Sequence, residues 1–344
     1  MFSLRTHVVR PHTVTEHYNS CDPLVVLSSP PWTSCLQVFR RATRSSAGMD
    51  TLRRTTPDVL TAVLSLRDPR IKNWETLENP TYIFVLLASY LYVAKSLGPR
   101  YMKNRDPYEL KGVIMVYNLF QVLANVYFLS QIFYHSFYAA GYNLFCQGLT
   151  YSTDPHAISL LNALYWYLWV RVADFLDTIF FVMKKKFTHI TVLHVVHHTI
   201  VVFSGWMFLQ FGGDGQVVFG VCLNSFVHII MYTYYFLACL GPQVQKYLWW
   251  KRYLTRVQIG QFIVIIAHAL IPVFVDCGYP RVLICIAIPQ VVLILGLFVN
   301  FYVQSYIKRR NATTDRMAKT GFTQEGAHAS TANGTANGVD KKKS

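Results

Sequence analysis

The chain has 344 residues and is 53% hydrophobic but only 14% charged, against about 25% charged in ordinary soluble domains, which excludes a conventional water-soluble globule. Its formal charge of +15 would suit a nucleic-acid partner. The basic residues, however, collect in short loops at alternate ends of apolar blocks, which is the signature of membrane topology. The expected partner is the lipid bilayer, not nucleic acid.

In chain order, residues 1–48 mix Ser, Thr, Pro and Arg and hold no apolar run long enough for a signal peptide. Residues 1–75 read as a largely disordered N-terminal extension, with Met49 as an alternative start. Seven apolar blocks follow, at 82–97, 112–134, 158–183, 190–211, 217–240, 257–275 and 282–302. All but the short first approach the length that spans a bilayer core as helix. The predicted fold is therefore an all-α integral membrane protein with seven transmembrane helices in residues 76–310. Residues 311–344 are rich in Ala, Thr, Gly and Asn and too poor in apolar side chains to build a core. They form a tail ending Lys341-Lys342-Lys343-Ser344, similar to the dilysine signal that returns membrane proteins to the endoplasmic reticulum.

Arg100, Lys103, Arg105 and Lys111 follow the first block, Lys184, Lys185 and Lys186 the third, Lys246, Lys251 and Arg252 the fifth, and Lys308, Arg309 and Arg310 the seventh. Those loops are predicted to be cytosolic, with a lumenal N-terminus and a cytosolic C-terminus. Arg53, Arg54, Arg67, Arg70 and Lys72 lie on the predicted lumenal side against this pattern. Of the seven cysteines, no pair has metal-ligand spacing. Cys146 and Cys277 both fall in predicted lumenal loops, where an oxidising compartment permits either a bridge or two thiols.

Ionisable residues inside a span are costly and mark a functional interior. Block three carries Arg171, Asp174 and Asp177-Thr178 on one helix face. Block four carries His194, His197 and His198, whose i, i+3, i+4 spacing also shares a face. Block five carries Asn224, His228 and Tyr232, and block six opens with Thr255, Gln258 and Gln261. Converted at ~1.5 Å rise per residue, all four sets fall in the cytosolic halves of their spans and can line one cavity. Each has a bland alternative: Arg171 and Asp174 as a neutralising pair, Gln258 and Gln261 as interhelical glue. His268 alone reads as a packing residue.

The ordered motifs Arg171-Val-Ala-Asp174-Phe-Leu-Asp177-Thr178, His194-Val-Val-His197-His198, Asn224-Ser-Phe-Val-His228-Ile-Ile-Met231-Tyr232 and Thr255-Arg-Val-Gln258-Ile-Gly-Gln261-Phe262 resemble the ELO family of very-long-chain fatty acid elongases, over roughly residues 75–310. Two positions depart, with Arg171 and Asp174 where the family usually has Lys and Glu. The resemblance implies seven helices around a narrow acyl-chain tunnel. It also implies condensation of acyl-CoA with malonyl-CoA to 3-oxoacyl-CoA, CoA and carbon dioxide, with no bound cofactor and no metal. A 3-oxoacyl-CoA reductase, a 3-hydroxyacyl-CoA dehydratase and an enoyl reductase would be its partners in an endoplasmic reticulum cycle.

No cysteine belongs to the polar stripes, so a neutral imidazole, His197, is the candidate nucleophile. His194 and His198 would position it or move protons. His228 would polarise the malonyl carboxylate or thioester carbonyl, and Asn224 would donate to an oxyanion. Asp174 and Asp177 complete the catalytic candidates. Arg171, Tyr232, Gln258 and Gln261 are candidate substrate contacts, and Lys184, Lys185, Lys186, Lys251 and Arg252 would attract CoA phosphates. Two competing readings share some of these features: a membrane di-iron desaturase or hydroxylase, which also pairs an HxxHH cluster with lipid, and a seven-helix receptor or transporter.

Overall fold

The computed structural model describes residues 67–72 and 74–308, and among these every regular element is helical. The eight principal helices are α1 (Pro80–Met102), α2 (Lys111–Ala139), α3 (Pro155–Ala173), α4 (Phe175–Met183), α5 (Val192–Phe211), α6 (Val217–Cys239), α7 (Lys251–Phe274) and α8 (Arg281–Lys308). Six of them, all but α3 and α4, are long and apolar enough to cross a membrane. Their outer faces carry large bare side chains such as Val116, Leu123 and Phe274, as a lipid-facing surface requires.

Local chemistry sets the helix starts. Asn79 accepts from Thr81 N–H at 3.0 Å and Asp154 accepts from His156 N–H at 2.8 Å, each ahead of a proline in the first turn. Thr191 Oγ1 accepts from His194 N–H at 3.2 Å, so the cap of α5 also fixes where its histidine face begins.

The third apolar block differs from the single span expected. It is two helices meeting at Asp174, where the N–H of Asp177 bonds the carbonyl of Asp174 instead of that of Ala173. The side chain of Asp174 is drawn into a buried polar cluster at that joint.

The packing is a ring in which α2 lies against α3, α3 against α5, α5 against α8, α8 against α7, α7 against α6, and α6 against α2. Six helices thus surround the interior and not seven. α1 stands outside the ring against α5, and its last turn touches α4.

The end holding the α3, α6 and α8 N-termini is tied by loops. Cys146 and Cys277 form a disulfide with Cα atoms 5.8 Å apart. Gln216 Oε1 accepts from Gln147 N–H at 2.8 Å, and Gln216 Nε2 donates to the His268 carbonyl at 2.8 Å. His268 bonds the Leu144 carbonyl at 2.8 Å and stacks on Phe219, the packing role expected of it. Gly148 has to be glycine because a Cβ there would stand 2.2 Å from the Cys277 carbonyl oxygen.

Residues 67–72, assigned from sequence to the disordered extension, belong instead to this end. Ile71 is 1% exposed. Arg70 bonds Asp68 at 2.6 Å, Asp214 at 3.0 Å and the Ser152 carbonyl at 3.0 Å. Burial works against the Arg70 charge, but the two carboxylates outweigh it and hold its pKa above the ordinary value. One of the basic residues that violated the charge pattern is therefore internally neutralised and exerts little pull on topology. The tail and most of the extension, with the dilysine-like end and Met49, lie outside the described residues.

Candidate active site

Two cavities occupy the ring. The larger, about 1320 Å³, lies toward the end where α4 and α6 finish and α2, α5 and α7 begin. Lys111, Lys184, Lys186 and Lys251 line it, and so do Asp177, His194, His197, His198, Asn224, His228, Gln258 and Gln261. The smaller, about 240 Å³, runs toward the disulfide-tied end between mostly apolar side chains, among them Leu164, Phe208, Ile265 and Leu283. Four residues line both: His197, Asn224, Gln261 and Phe262. They form a neck between a polar, basic chamber and an apolar one.

The histidines are placed unequally. His194 Nε2 lies 2.8 Å from Thr178 Oγ1, which lies 3.0 Å from the Tyr90 hydroxyl, so α1, α4 and α5 are joined through one polar chain. His198 packs edge-on to His194 with ring centroids 4.5 Å apart. His197 alone of the three borders both cavities, and its buried Nδ1 has no hydrogen-bond partner among the described residues. Its ring is framed by Phe298 at 5.7 Å and Phe262 at 6.3 Å.

Beside the neck lies a separate knot. Arg171 Nη1 is 3.1 Å from Asp174 Oδ2 and also meets His228, Nη2 donates to Asn125 Oδ1 at 2.9 Å, and the guanidinium sits 4.8 Å over the Tyr167 ring. Asp174 Oδ1 accepts from Gln121 at 2.9 Å and lies 2.9 Å from the Tyr232 hydroxyl, which is also 2.8 Å from Asp177 Oδ2. Arg171, Asp174, Gln121, Asn125 and Tyr232 are all buried. Asp174, a catalytic candidate, and Tyr232, an expected substrate contact, line neither cavity and are gathered into the knot instead. Asp177 reaches the chamber and Arg171 the apolar cavity.

Two of the five basic residues expected at the mouth point elsewhere. Lys185 Nζ reaches the Lys103 carbonyl at 3.4 Å, and Arg252 turns to the Tyr253 hydroxyl at 3.1 Å. Sequence reasoning missed Gln121, Asn125 and Tyr167, polar residues whose importance comes from neighbours on other helices. It gave no role to Phe262, although that residue closes the fourth motif, and missed Phe298, which no pattern separates from lipid-facing phenylalanines. Among the described residues no group of three or more His, Cys, Asp or Glu is arranged to hold a metal ion.

Comparison with known proteins brings the same region forward. A family profile described as "ELO: GNS1/SUR4 family" matches residues 75–314. A very long chain fatty acid elongase of Aedes aegypti is 40% identical over 247 residues, 71% of this chain and 69% of that protein. The human very long chain fatty acid elongase 4 is 36% identical over 266 residues, 77% of this chain and 84% of that protein. The mouse very long chain fatty acid elongase 2 is 39% identical over 278 residues, 80% of this chain and 92% of that protein.

Proposed function

The chain belongs to the ELO: GNS1/SUR4 family and is a multi-pass membrane enzyme of fatty acid elongation, a 3-oxoacyl-CoA synthase; from that premise we propose that it works through an acyl-histidine at His197. Family membership leaves the desaturase and receptor readings without support. The observation that carries the proposal is the place of His197, the one histidine that borders both cavities. A long-chain acyl-CoA has a polyanionic head, a reactive thioester and an apolar tail. The basic chamber suits the head, the apolar cavity suits the tail, and the thioester then falls at the neck.

Lys111, Lys184, Lys186 and Lys251 attract the phosphates. An unprotonated His197 nitrogen attacks the thioester carbon, CoA leaves as its thiol, and the acyl group stays on the imidazole. Malonyl-CoA then enters the emptied chamber, loses carbon dioxide, and its carbanion takes the acyl group to give 3-oxoacyl-CoA. His194, anchored by Thr178, and His198 carry protons, and His228, held by Arg171, polarises the malonyl group. No bound cofactor or metal enters this scheme, so turnover should survive chelation.

The 3-oxo product calls for a reductase, a dehydratase and an enoyl reductase to complete each cycle. In this reading α3 and α4 together make a seventh crossing, the basic mouth faces the cytosol, the Cys146–Cys277 end faces the lumen, and the membrane is that of the endoplasmic reticulum. The oxidised cysteine pair at one end and the lysines at the other support that orientation. Glycan at Asn311 or Asn333 would reverse it.

The test of the acyl-histidine is direct. Purified enzyme incubated with acyl-CoA alone should release up to one equivalent of CoA, and mass spectrometry should find the acyl group on His197. An enzyme that elongates when malonyl-CoA is present, yet releases no CoA without it, would rule the intermediate out.

A further inference from the structure

Gln261 is a buried amide in search of a partner. It stands on α7 at the neck, 5% exposed, and its Nε2 finds no acceptor among the described residues. Interhelical glue would need a bond to another helix, and Gln261 makes none among the described residues. Gln258, one turn earlier, does reach across, to Met231 Sδ at 3.4 Å. The large majority of buried side-chain polar atoms find a partner, and of the described residues with one that does not, His197 and Gln261 are the two that line both cavities, which points to a ligand acceptor.

Across the neck Asn224 is oriented for the same task. Its Oδ1 accepts from the Tyr167 hydroxyl at 3.1 Å, which leaves Nδ2 as the free donor end of the amide. Tyr167 is 5% exposed and is itself held under the Arg171 guanidinium. Two amides and His197, whose Nδ1 has no partner among the described residues, thus line the place where the two cavities meet.

We propose that Gln261 and Asn224 together form the oxyanion hole for acyl transfer at His197, with Tyr167 as the positioning residue for Asn224. This deepens the acyl-transfer reading above and rests on it. When the lone pair of an unprotonated His197 ring nitrogen bonds the thioester carbon, the carbonyl π pair moves onto oxygen and a negative charge appears there. That oxygen takes hydrogen bonds from Gln261 Nε2 and Asn224 Nδ2. The pair then returns, the carbon–sulfur bond breaks, and CoA leaves as thiolate. The proton from the other nitrogen of the acylated imidazolium ends on that thiolate, giving neutral acyl-imidazole and CoA thiol. Neutral donors already held at the neck need no reorganisation as the charge develops.

The experiment uses the full-length enzyme in detergent or nanodiscs and separates turnover from binding. Gln261→Ala removes the amide, and Gln261→Glu keeps its shape while removing the N–H donors. Each should lower kcat of the complete reaction by about 10²–10³-fold, the usual loss for one oxyanion donor. Equilibrium affinity for acyl-CoA should change by less than about three-fold, because the interaction exists only in the transition state. Tyr167→Phe should lower kcat by about ten-fold in wild type and have no effect in an Asn224→Ala background, where there is no amide left to orient. A kcat within about three-fold of wild type in both Gln261 variants would overturn the proposal. So would parallel loss of kcat and acyl-CoA affinity, which marks a structural role. Release of CoA by wild type from acyl-CoA alone is measured alongside. Its absence sinks the acyl-histidine but not the donors, since direct condensation raises the same oxyanion and the kcat split still decides them.

Discussion

The knot around Arg171 and the neck around His197 are neighbours that share helix α6, yet they treat polarity differently. In the knot, Asp174 gathers Arg171, Gln121 and Tyr232, and Arg171 gathers Asp174, Asn125 and His228. In the neck, His197 Nδ1 and Gln261 Nε2 have no hydrogen-bond partner among the described residues. The first arrangement holds α2, α3 and α6 together and occupies both oxygens of Asp174, with Arg171 Nε the atom left without a partner among the described residues. The second carries an uncompensated desolvation cost in the resting enzyme, a cost offset only as charge develops on the thioester oxygen during acyl transfer. Polar residues in a membrane interior therefore divide by whether their partners are already present.

Breaking each region should expose this division. The largest effect on activity is expected at the neck: His197→Ala should cut CoA release from acyl-CoA by at least about 10³-fold. Because ring packing but no Nδ1 hydrogen bond is lost, it should cost less stability than Arg171→Ala. Thermal unfolding in the same detergent measures the second quantity, and a large drop would mean the neck is structural after all.

The knot should behave in reverse. Arg171→Ala leaves Asp174 buried without its cation and should cost about 3–5 kcal/mol, read as loss of folded protein or a large fall in Tm. Next in size is the tied end, where Cys277→Ser opens a bridge spanning 131 residues and should cost about 2–4 kcal/mol. Non-reducing peptide mapping of the wild type should recover Cys146 and Cys277 linked.

Smaller still is Asp174→Glu, which restores the residue usual in the family but adds a methylene to a closed cluster, for about 1–3 kcal/mol of overpacking. Because Asp174 lines neither cavity, acyl release by the folded fraction should persist; its loss would place Asp174 in the chemistry. The smallest effects belong to the mouth. Lys184→Gln, Lys186→Gln and Lys251→Gln should each raise KM for acyl-CoA by about 2–5-fold at low salt and less at high salt. Lys185→Gln and Arg252→Gln, turned away from the chamber, should leave it unchanged.

Much of this was legible in the amino-acid order. The apolar blocks marked helices because a bilayer core imposes a length, the i, i+3, i+4 spacing put His194, His197 and His198 on one face, and the loop positions of Cys146 and Cys277 permitted their bridge. The ordered motifs, with their usual Lys and Glu replaced by Arg171 and Asp174, were enough for the family. Periodicity, however, says which residues share a face and nothing about what that face meets. Only the packed ring decides that α1 stands outside it, that the third block breaks at Asp174, and that Arg70 is neutralised by Asp68 and Asp214. It alone sets Asp174 and Tyr232 apart from the cavities and brings His197, Asn224 and Gln261 from three helices to one neck. Partners that complete or abandon a buried polar group come from distant parts of the chain, and their absence around His197 and Gln261 is a property of the assembled ring.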